Sequence, residues 1–355
     1  MADDPSAPAG VDAGPDGIDR SGVTAWLQAH VPEIAPPLSF SLIAGGRSNL
    51  TFTVTDSAGR RFVLRRPPLG HLLPSAHDMG REHRVIAALG PSPVPVPPLV
   101  GLCADETVTG APFYVMHFVD GVILRDPDAA ATVPETIRRA ASESLVDVLA
   151  DLHRLDPASV GLGDLGRQTG YVERLIRRWR GQWDQGRSRD LPLVDEVAER
   201  LAARIPETGP ASIVHGDYRL DNAMVSPADG SVQAVLDWEL CTLGDPLADL
   251  GMLLVYWTEP GDQLSALSWA PTTAPGFIGR KEVAARYGAA SGRDLSELDY
   301  YVALAYWKIA VILEGVYVRY RDGAYGDTDD SWRAFEHSVP QLAEAAHEAA
   351  TRAGR

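Results

Sequence analysis

Cysteine is scarce in this sequence, and the residues that bind zinc do not cluster. The 355 residues include two cysteines, Cys103 and Cys241, which lie in unrelated contexts. Because no CxxC pair and no Cys/His cluster occurs, the sequence predicts neither a disulfide framework nor a zinc site. A low cysteine content is typical of a reducing compartment.

Positive charge is also in deficit. The chain has 32 Lys and Arg residues against 48 Asp and Glu residues, a net charge of -16. A surface of this sign repels nucleic-acid phosphates and anionic lipid headgroups. We therefore expect neither a nucleic-acid partner nor a membrane partner.

Long apolar runs are missing as well. Residues 1–20 are acidic and rich in Ala, Pro, Asp and Gly, a composition that predicts a disordered tail rather than a signal peptide. The strongest apolar stretch, Val302–Leu313, is interrupted by Lys308. It is shorter than the roughly 20 apolar residues that cross a bilayer. We expect a cytoplasmic protein.

The remaining pattern divides the chain into two parts. Residues 21–119 contain short stretches that alternate apolar and polar residues, separated by Gly-containing turns, which predict a small antiparallel sheet with one helix. Residues 120–355 are mainly helical by periodicity. Within them, short strands are predicted at Ile213–Val214 and Val232–Leu236, and Leu298–Tyr320 is apolar nearly all round, as in a core helix.

The strongest chemical signal is the segment HGDYRLDN, which runs from His215 to Asn222. Asp217 and Asn222 are five positions apart, and Asp237 follows the next predicted strands. The first Asp can accept a proton from an attacking hydroxyl, while Asn222 and Asp237 supply oxygen ligands for Mg²⁺. This set of residues, at this spacing, is typical of kinase-type phosphoryl transfer.

The motif resembles a known family. HGDYRLDN and VLDWELCTLGDPLADLG are similar to segments of the aminoglycoside phosphotransferase and choline kinase superfamily. Segments such as AGGRSNLTF and FVLRRPP resemble the branch found as kinase domains fused to acyl-CoA dehydrogenases. The resemblance covers roughly residues 38 to 340. It implies a two-lobed α+β fold like that of protein kinases, with ATP and Mg²⁺ as cofactors and a small-molecule hydroxyl acceptor.

The resemblance also assigns nucleotide-binding residues. The turn after the first strand, with Gly45, Gly46, Ser48 and Asn49, is expected to cover the phosphates, because glycines let backbone N–H groups approach them. A simple hairpin turn is the structural alternative.

Two further nucleotide contacts are expected in the first part of the chain. Arg65, on the third strand, occupies the position where a kinase has a lysine, and Glu82 is its expected helix partner. The backbone around Met116, Phe118 and Val119, where the two lobes join, is expected to bind the adenine edge.

Two other functions fit parts of this pattern. Arg and Lys are not equivalent at a phosphate site, so Arg65 permits a pseudokinase that binds nucleotide without turnover. The presence of Asp217, Asn222 and Asp237 together argues against it. A metal-dependent hydrolase is a third possibility, but the sequence has no second metal cluster.

Overall fold

The computed structural model of the protein describes residues 15–43, 49–69, 78–262, 264, 267, 269–323 and 330–354. The chain forms two compact units. One consists of residues up to 87 together with 97–118, and the other of residues 88–96 together with 119 onward.

The first unit is built on a five-stranded antiparallel sheet. Its strands are β1 (Ser39–Leu42), β2 (Leu50–Thr55), β3 (Arg61–Arg66), β4 (Leu99–Cys103) and β5 (Phe113–His117), in the order β1-β2-β3-β5-β4. Helices α1 (Arg20–His30) and α2 (Met79–Leu89) accompany the sheet.

The alternating side chains of these strands explain where the core of the first unit lies. Phe52, Val54 and Leu64 are almost completely buried, and they belong to one cluster with Val23 and Leu27 of α1. Strand residues of alternating polarity bury one face of a sheet, so the helix covers the apolar face.

The second unit is mostly helical. Its helices are α3 (Pro127–Ala131), α4 (Glu135–Arg154), α5 (Tyr171–Gly186), α6 (Pro192–Ala203), α7 (Pro246–Tyr256), α8 (Arg280–Ser291), α9 (Leu298–Arg321) and α10 (Phe335–Arg352). The prediction of an α+β fold, with an N-terminal antiparallel sheet and a helical remainder, is confirmed.

Two short antiparallel ribbons lie among these helices. They pair β6 (Ser212–Val214) with β9 (Thr242–Gly244), and β7 (Ala223–Val225) with β8 (Val232–Val235). The sequence predicted β6 and β8, and the interval between Asn222 and Asp237 left room for β7. It did not predict β9. A three-residue strand is too short to show a period, so it carries no signal of its own.

Helix α9 forms the centre of the second unit. Its bounds agree with the predicted helix from Leu298 to Tyr320, and by length and composition alone it could cross a membrane. However, 61% of its most apolar window is buried inside the protein. It packs against α7 and α10, so its apolar character is explained by the core, as the sequence predicted.

Candidate active site

The β7–β8 ribbon brings two of the predicted metal ligands to the same end. Ala223 pairs with Val235, so Asn222, just before β7, lies across from Leu236, just after β8. The N–H of Leu236 donates to the carbonyl of Asn222 at 2.8 Å. Asp237 is the next residue, and it therefore leaves the ribbon beside Asn222.

The backbone of Asp237 has an uncommon conformation. Its φ angle is +63°, the left-handed region, which among the described residues no other non-glycine adopts. Asp enters this region more readily than bulky residues do, although at some cost. The next residue, Trp238, is 1% exposed and its indole N–H donates to the Val235 carbonyl at 3.0 Å. The buried indole fixes the chain that carries Asp237.

Asp217 and Asn222 are in direct contact. The Asn222 side-chain amide donates to the main-chain carbonyl of Asp217 at 2.8 Å and to its Oδ2 at 3.0 Å. The Arg219 guanidinium also lies 3.5 Å from this Oδ2. Within the described ranges, Oδ1 of Asp217 and the side-chain oxygen of Asn222 accept no hydrogen bond from the protein. The contact holds both side chains while leaving one oxygen of each for other ligands.

His215 joins the loop to the end of β8. It is completely buried, its Nε2 lies 2.9 Å from the Leu236 carbonyl, and its Nδ1 accepts from the Asp217 N–H at 3.2 Å. Both ring nitrogens are therefore engaged in joining the loop to the end of β8.

A carboxylate beneath the loop fixes its main chain. Asp249, on α7, is 1% exposed. Its Oδ2 accepts from the His215 N–H at 2.6 Å, and its Oδ1 accepts from the Gly216 N–H at 2.9 Å. The ring of His153 lies 3.3 Å from Oδ2 on another side. Buried carboxylates need such donors, because an unpaired one is costly.

The surroundings of Asp249 favour its charged form. Burial raises the pKa of the carboxyl, but the hydrogen bonds from His153 and from the Gly216 N–H outweigh burial and hold the pKa below its usual value. Burial lowers the pKa of His153. We infer an ionised Asp249.

Arg219 is enclosed by aromatic rings next to Asp217. Its guanidinium carbon lies 4.6 Å from the ring centroid of Tyr256 and 5.6 Å from that of Trp269, and its terminal nitrogen lies 3.2 Å from Asp221. Burial raises the pKa of Asp221 to about 6, against the opposing charge of Arg219. Such an environment holds the guanidinium in one orientation.

The first unit pairs two of the predicted nucleotide-binding residues. Arg65 of β3 donates from Nε to Oε2 of Glu82 on α2 at 3.2 Å, and the Glu82 side chain is 2% exposed. Asn49, at the start of β2, is buried. Gly45, Gly46 and Ser48 lie outside the described residues.

The predicted adenine-binding segment contains the point in the chain where residues stop belonging to the first unit and begin to belong to the second, between Phe118 and Val119. The side chain of Met116 is buried in β5, and the Phe118 ring lies under the Arg61 guanidinium at 3.9 Å. The Phe118 N–H donates to the Arg61 carbonyl at 3.2 Å. The role of this segment in binding adenine stays a prediction.

The donors at the end of the ribbon fit Mg²⁺. This ion prefers oxygen ligands, keeps several waters and takes few protein ligands, usually together with substrate phosphates. The end of the ribbon carries an amide oxygen, on Asn222, and a carboxylate, on Asp237. The described residues hold no cluster of three or more His, Cys, Asp or Glu side chains suited to a metal, so the fit is to a nucleotide-bound ion rather than to a protein cage.

A groove opens between α5 and α9 in the second unit. Its volume is about 410 Å³. The residues that line it are aromatic, apolar, amide and basic, with one carboxylate: Trp179, Gln182, Trp183, Gln185, Gly186, Arg187, Val311, Ile312, Glu314, Gly315 and Arg319. That carboxylate, Glu314, is already bound by Ser188 and Arg189.

A family model matches this chain. The model described as "Phosphotransferase enzyme family" covers residues 39–301, which include the sheet of the first unit and the loop of Asp217. The chain belongs to this family. The family resemblance inferred from HGDYRLDN is thereby confirmed.

Individual relatives agree with this assignment. A Ralstonia eutropha protein assigned to the aminoglycoside phosphotransferases is 33% identical, with a TM-score of 0.79 over 94% of this chain and 98% of that one. Acyl-CoA dehydrogenase family member 11 of Gallus gallus is 36% identical over 92% of this chain and 43% of that protein. Member 10 of Mus musculus is 34% identical over 80% of this chain and 27% of that protein. This chain thus spans less than half the length of the two acyl-CoA dehydrogenase family members.

A more distant structure shares only the fold. The ethanolamine kinase of Plasmodium vivax is 13% identical, with a TM-score of 0.59 over 90% of this chain and 85% of that one.

Two residues that the structure places at the site were not predicted from the sequence. Asp249 is a charge within an apolar helix, and that pattern was the available signal. Arg219 gave no such signal, because arginine is ordinary in a polar loop. Trp307, next to Lys308 on α9, is fully buried and donates to the Val194 carbonyl at 3.0 Å.

The contacts of Asp249 predict the effect of Asp249→Asn. Both carboxylate oxygens accept a main-chain N–H, so either orientation of the asparagine amide leaves one N–H without an acceptor. A buried unsatisfied donor costs about 1–3 kcal/mol. We expect urea unfolding to show a stability loss of that size, with a lower kcat from the displaced loop.

Asp299→Asn is the matched control, since Asp299 is 48% exposed on α9. It should change stability by less than about 0.5 kcal/mol. Equal stability of the two variants would show that Asp249 does not hold the loop.

Proposed function

We propose that this phosphotransferase moves the γ-phosphate of ATP to a hydroxyl group of a small molecule, in a Mg²⁺-dependent reaction. The observation that supports this function is the contact between Asn222 and Asp217, which leaves one side-chain oxygen of each residue without a partner among the described residues. The two oxygens have separate uses in phosphoryl transfer, one facing the acceptor and one facing the metal.

Asp217 is the acceptor-facing group in this proposal. A hydroxyl bound at its Oδ1 gives its proton to the carboxylate as the oxygen forms a bond to the γ-phosphorus and the bond from that phosphorus to the β-phosphate oxygen breaks, releasing ADP. Arg219 and Asn222 hold the other carboxylate oxygen, so the group is oriented before substrate binds. Orientation of this kind supplies much of the rate in phosphoryl transfer.

Asn222 and Asp237 would hold Mg²⁺, which when bound neutralises phosphate charge. The left-handed backbone of Asp237 and the buried Trp238 support this role, because they hold the chain at the end of the ribbon where Asn222 begins β7. The pair of Arg65 and Glu82 would place a guanidinium against the nucleotide phosphates. This pairing argues against a pseudokinase, because a buried carboxylate orients Arg65 as it would orient the lysine of a kinase.

The acceptor we propose is a hydroxylated acyl compound rather than a polycationic aminoglycoside. The one carboxylate lining the α5–α9 groove, Glu314, is already paired, so the groove offers a polycation no free counter-charge among the described residues. Its aromatic and apolar side chains suit an apolar chain, and Arg319 adds a positive charge to the lining, whereas Arg187 already pairs with Asp195 at 2.9 Å. The names of the relatives, which are acyl-CoA dehydrogenase family members, support the same class.

The role of Asp217 is tested by Asp217→Asn. The variant loses the proton acceptor but keeps a side chain of the same shape, so ATP affinity should stay within a few-fold while kcat falls by about 10²-fold or more. Asp229→Asn, on the exposed β7–β8 turn, is the control and should keep wild-type turnover. Near-normal turnover of Asp217→Asn would remove this residue from the reaction.

The acceptor class is tested with radiolabelled ATP and Mg²⁺. We expect a panel of hydroxyacyl-CoA esters to include a phosphorylated compound, with kcat/KM at least about 10²-fold above that of any kanamycin-type aminoglycoside. Phosphorylation of an aminoglycoside, with every acyl ester inactive, would contradict the proposed acceptor.

A further inference from the structure

Lys308 is a buried charge that the proposed chemistry has not used. It lies on the apolar helix α9 and is 8% exposed. Its ammonium donates to the carbonyl of Gly216 at 3.1 Å. Across the part of the chain that the structure describes, it forms no ion pair, so two of its three N–H donors lack a protein acceptor.

This arrangement is costly for the fold alone. An ammonium taken out of water loses several kcal/mol of solvation unless a counter-ion replaces it. A methionine of similar length would fill the same space without that cost. Burial lowers the pKa of Lys308, whereas the charges of Asp217 and Asp249 raise it. A buried cation with spare donors indicates a function outside the packing of α9.

The position of the ammonium indicates what that function is. Gly216 immediately precedes Asp217, so Lys308 touches the loop that carries the acceptor-facing carboxylate. On its other side, Nζ lies 5.7 Å from the ring centroid of Trp179. Trp179 lines the α5–α9 groove, and its indole nitrogen is buried with no hydrogen-bond partner among the described residues. The ammonium therefore lies between the catalytic loop and the groove.

A cavity lined in part by Lys308 is too small to hold acceptors for both of the remaining N–H donors. It has a volume of about 10 Å³ and is lined by Lys308, Gly216, Asp249 and the apolar or aromatic side chains around them. That volume holds about one water. One water can satisfy one donor, so a donor is still left for a ligand.

We propose that Lys308 binds the acceptor: its ammonium donates to the acyl oxygen of a molecule whose hydroxyl lies at Asp217 and whose remainder occupies the α5–α9 groove. The inference rests on the proposed function and adds a specificity residue to it. An acceptor with a hydroxyl but no nearby carbonyl or carboxylate oxygen would leave Lys308 unsatisfied, and such mismatches are strongly discriminated.

The chain offers an internal control for testing this residue. It contains only two lysines, Lys281 and Lys308, and Lys281 is exposed on α8. Protein labelled with ¹³C at the lysine Cε carbons gives two lysine side-chain signals, which Lys281→Arg assigns. With MgADP present, 3-hydroxybutyryl-CoA should shift the Lys308 signal and leave the Lys281 signal in place.

Free 3-hydroxybutyrate is the second ligand in this titration. A shift with the ester alone assigns the ammonium to a thioester carbonyl, and a shift with the free acid alone assigns it to a carboxylate. A Lys308 signal that moves with neither compound, or that responds to MgADP only, overturns the inference. The wild-type protein is used, so the result does not depend on a variant that folds.

Kinetics test the same inference independently. Lys308→Met removes a charge-assisted hydrogen bond, so the KM for the phosphorylated acyl acceptor should rise about 10- to 10²-fold while kcat changes less. Lys281→Met should match the wild type in both constants. An unchanged acceptor KM together with a weaker MgATP affinity or a lower Tm would make Lys308 structural.

The titration also separates this inference from the proposed function. If no acyl ester is phosphorylated but the Lys308 signal still shifts, the proposed reaction fails and the binding role stands. If an ester is phosphorylated and the Lys308 signal does not move, the reaction stands and the role of Lys308 fails.

Discussion

The Asp249 carboxylate, buried under the loop from His215 to Asn222, accepts the main-chain N–H groups of His215 and Gly216. Most of the site depends on this contact, because it fixes the backbone immediately before Asp217. A buried carboxylate is stable only when donors surround it, and here His153 supplies one more. The loop cannot move away without leaving the charge unsatisfied. The site is thus positioned by α7 rather than by the sequence of the loop alone.

Charges in apolar surroundings form a pattern across the second unit. Asp249, Arg219 and Lys308 are each buried or enclosed, and each contacts the segment that contains Asp217. A core of apolar residues would be cheaper at these positions. Oriented charges nevertheless need no rearrangement when the charge of a phosphoryl group develops, which is where preorganised sites gain their rate. We interpret the three as a stability cost that the site imposes on the fold.

The site residues and most of the secondary structure could be predicted from the sequence, whereas the shortest strands and the tertiary contacts could not. The spacing of Asp217, Asn222 and Asp237 predicted a kinase-type site, and the fifteen-residue interval from Asn222 to Asp237 left room for the β7–β8 hairpin. Strand β9 and its pairing with β6 were not predictable, since three residues carry no periodicity. The hydrogen-bond partner of Lys308 could not be predicted either. An isolated lysine in an apolar helix indicates a polar contact, but tertiary packing decides that the contact is with Gly216. The contact of the Trp307 indole with the Val194 carbonyl of α6 is likewise set by tertiary packing.

The proposed reaction requires a metal site with oxygen ligands at the end of the β7–β8 ribbon. Calorimetric titration of ATP with and without Mg²⁺ measures that site without requiring the acceptor to be known. The wild type should bind ATP more tightly with Mg²⁺, whereas Asp237→Ala should bind it equally with and without the ion, because the carboxylate beside Asn222 is gone. Asp229→Ala, on the turn of the same ribbon, should behave as the wild type. Wild-type MgATP affinity in Asp237→Ala would contradict the account.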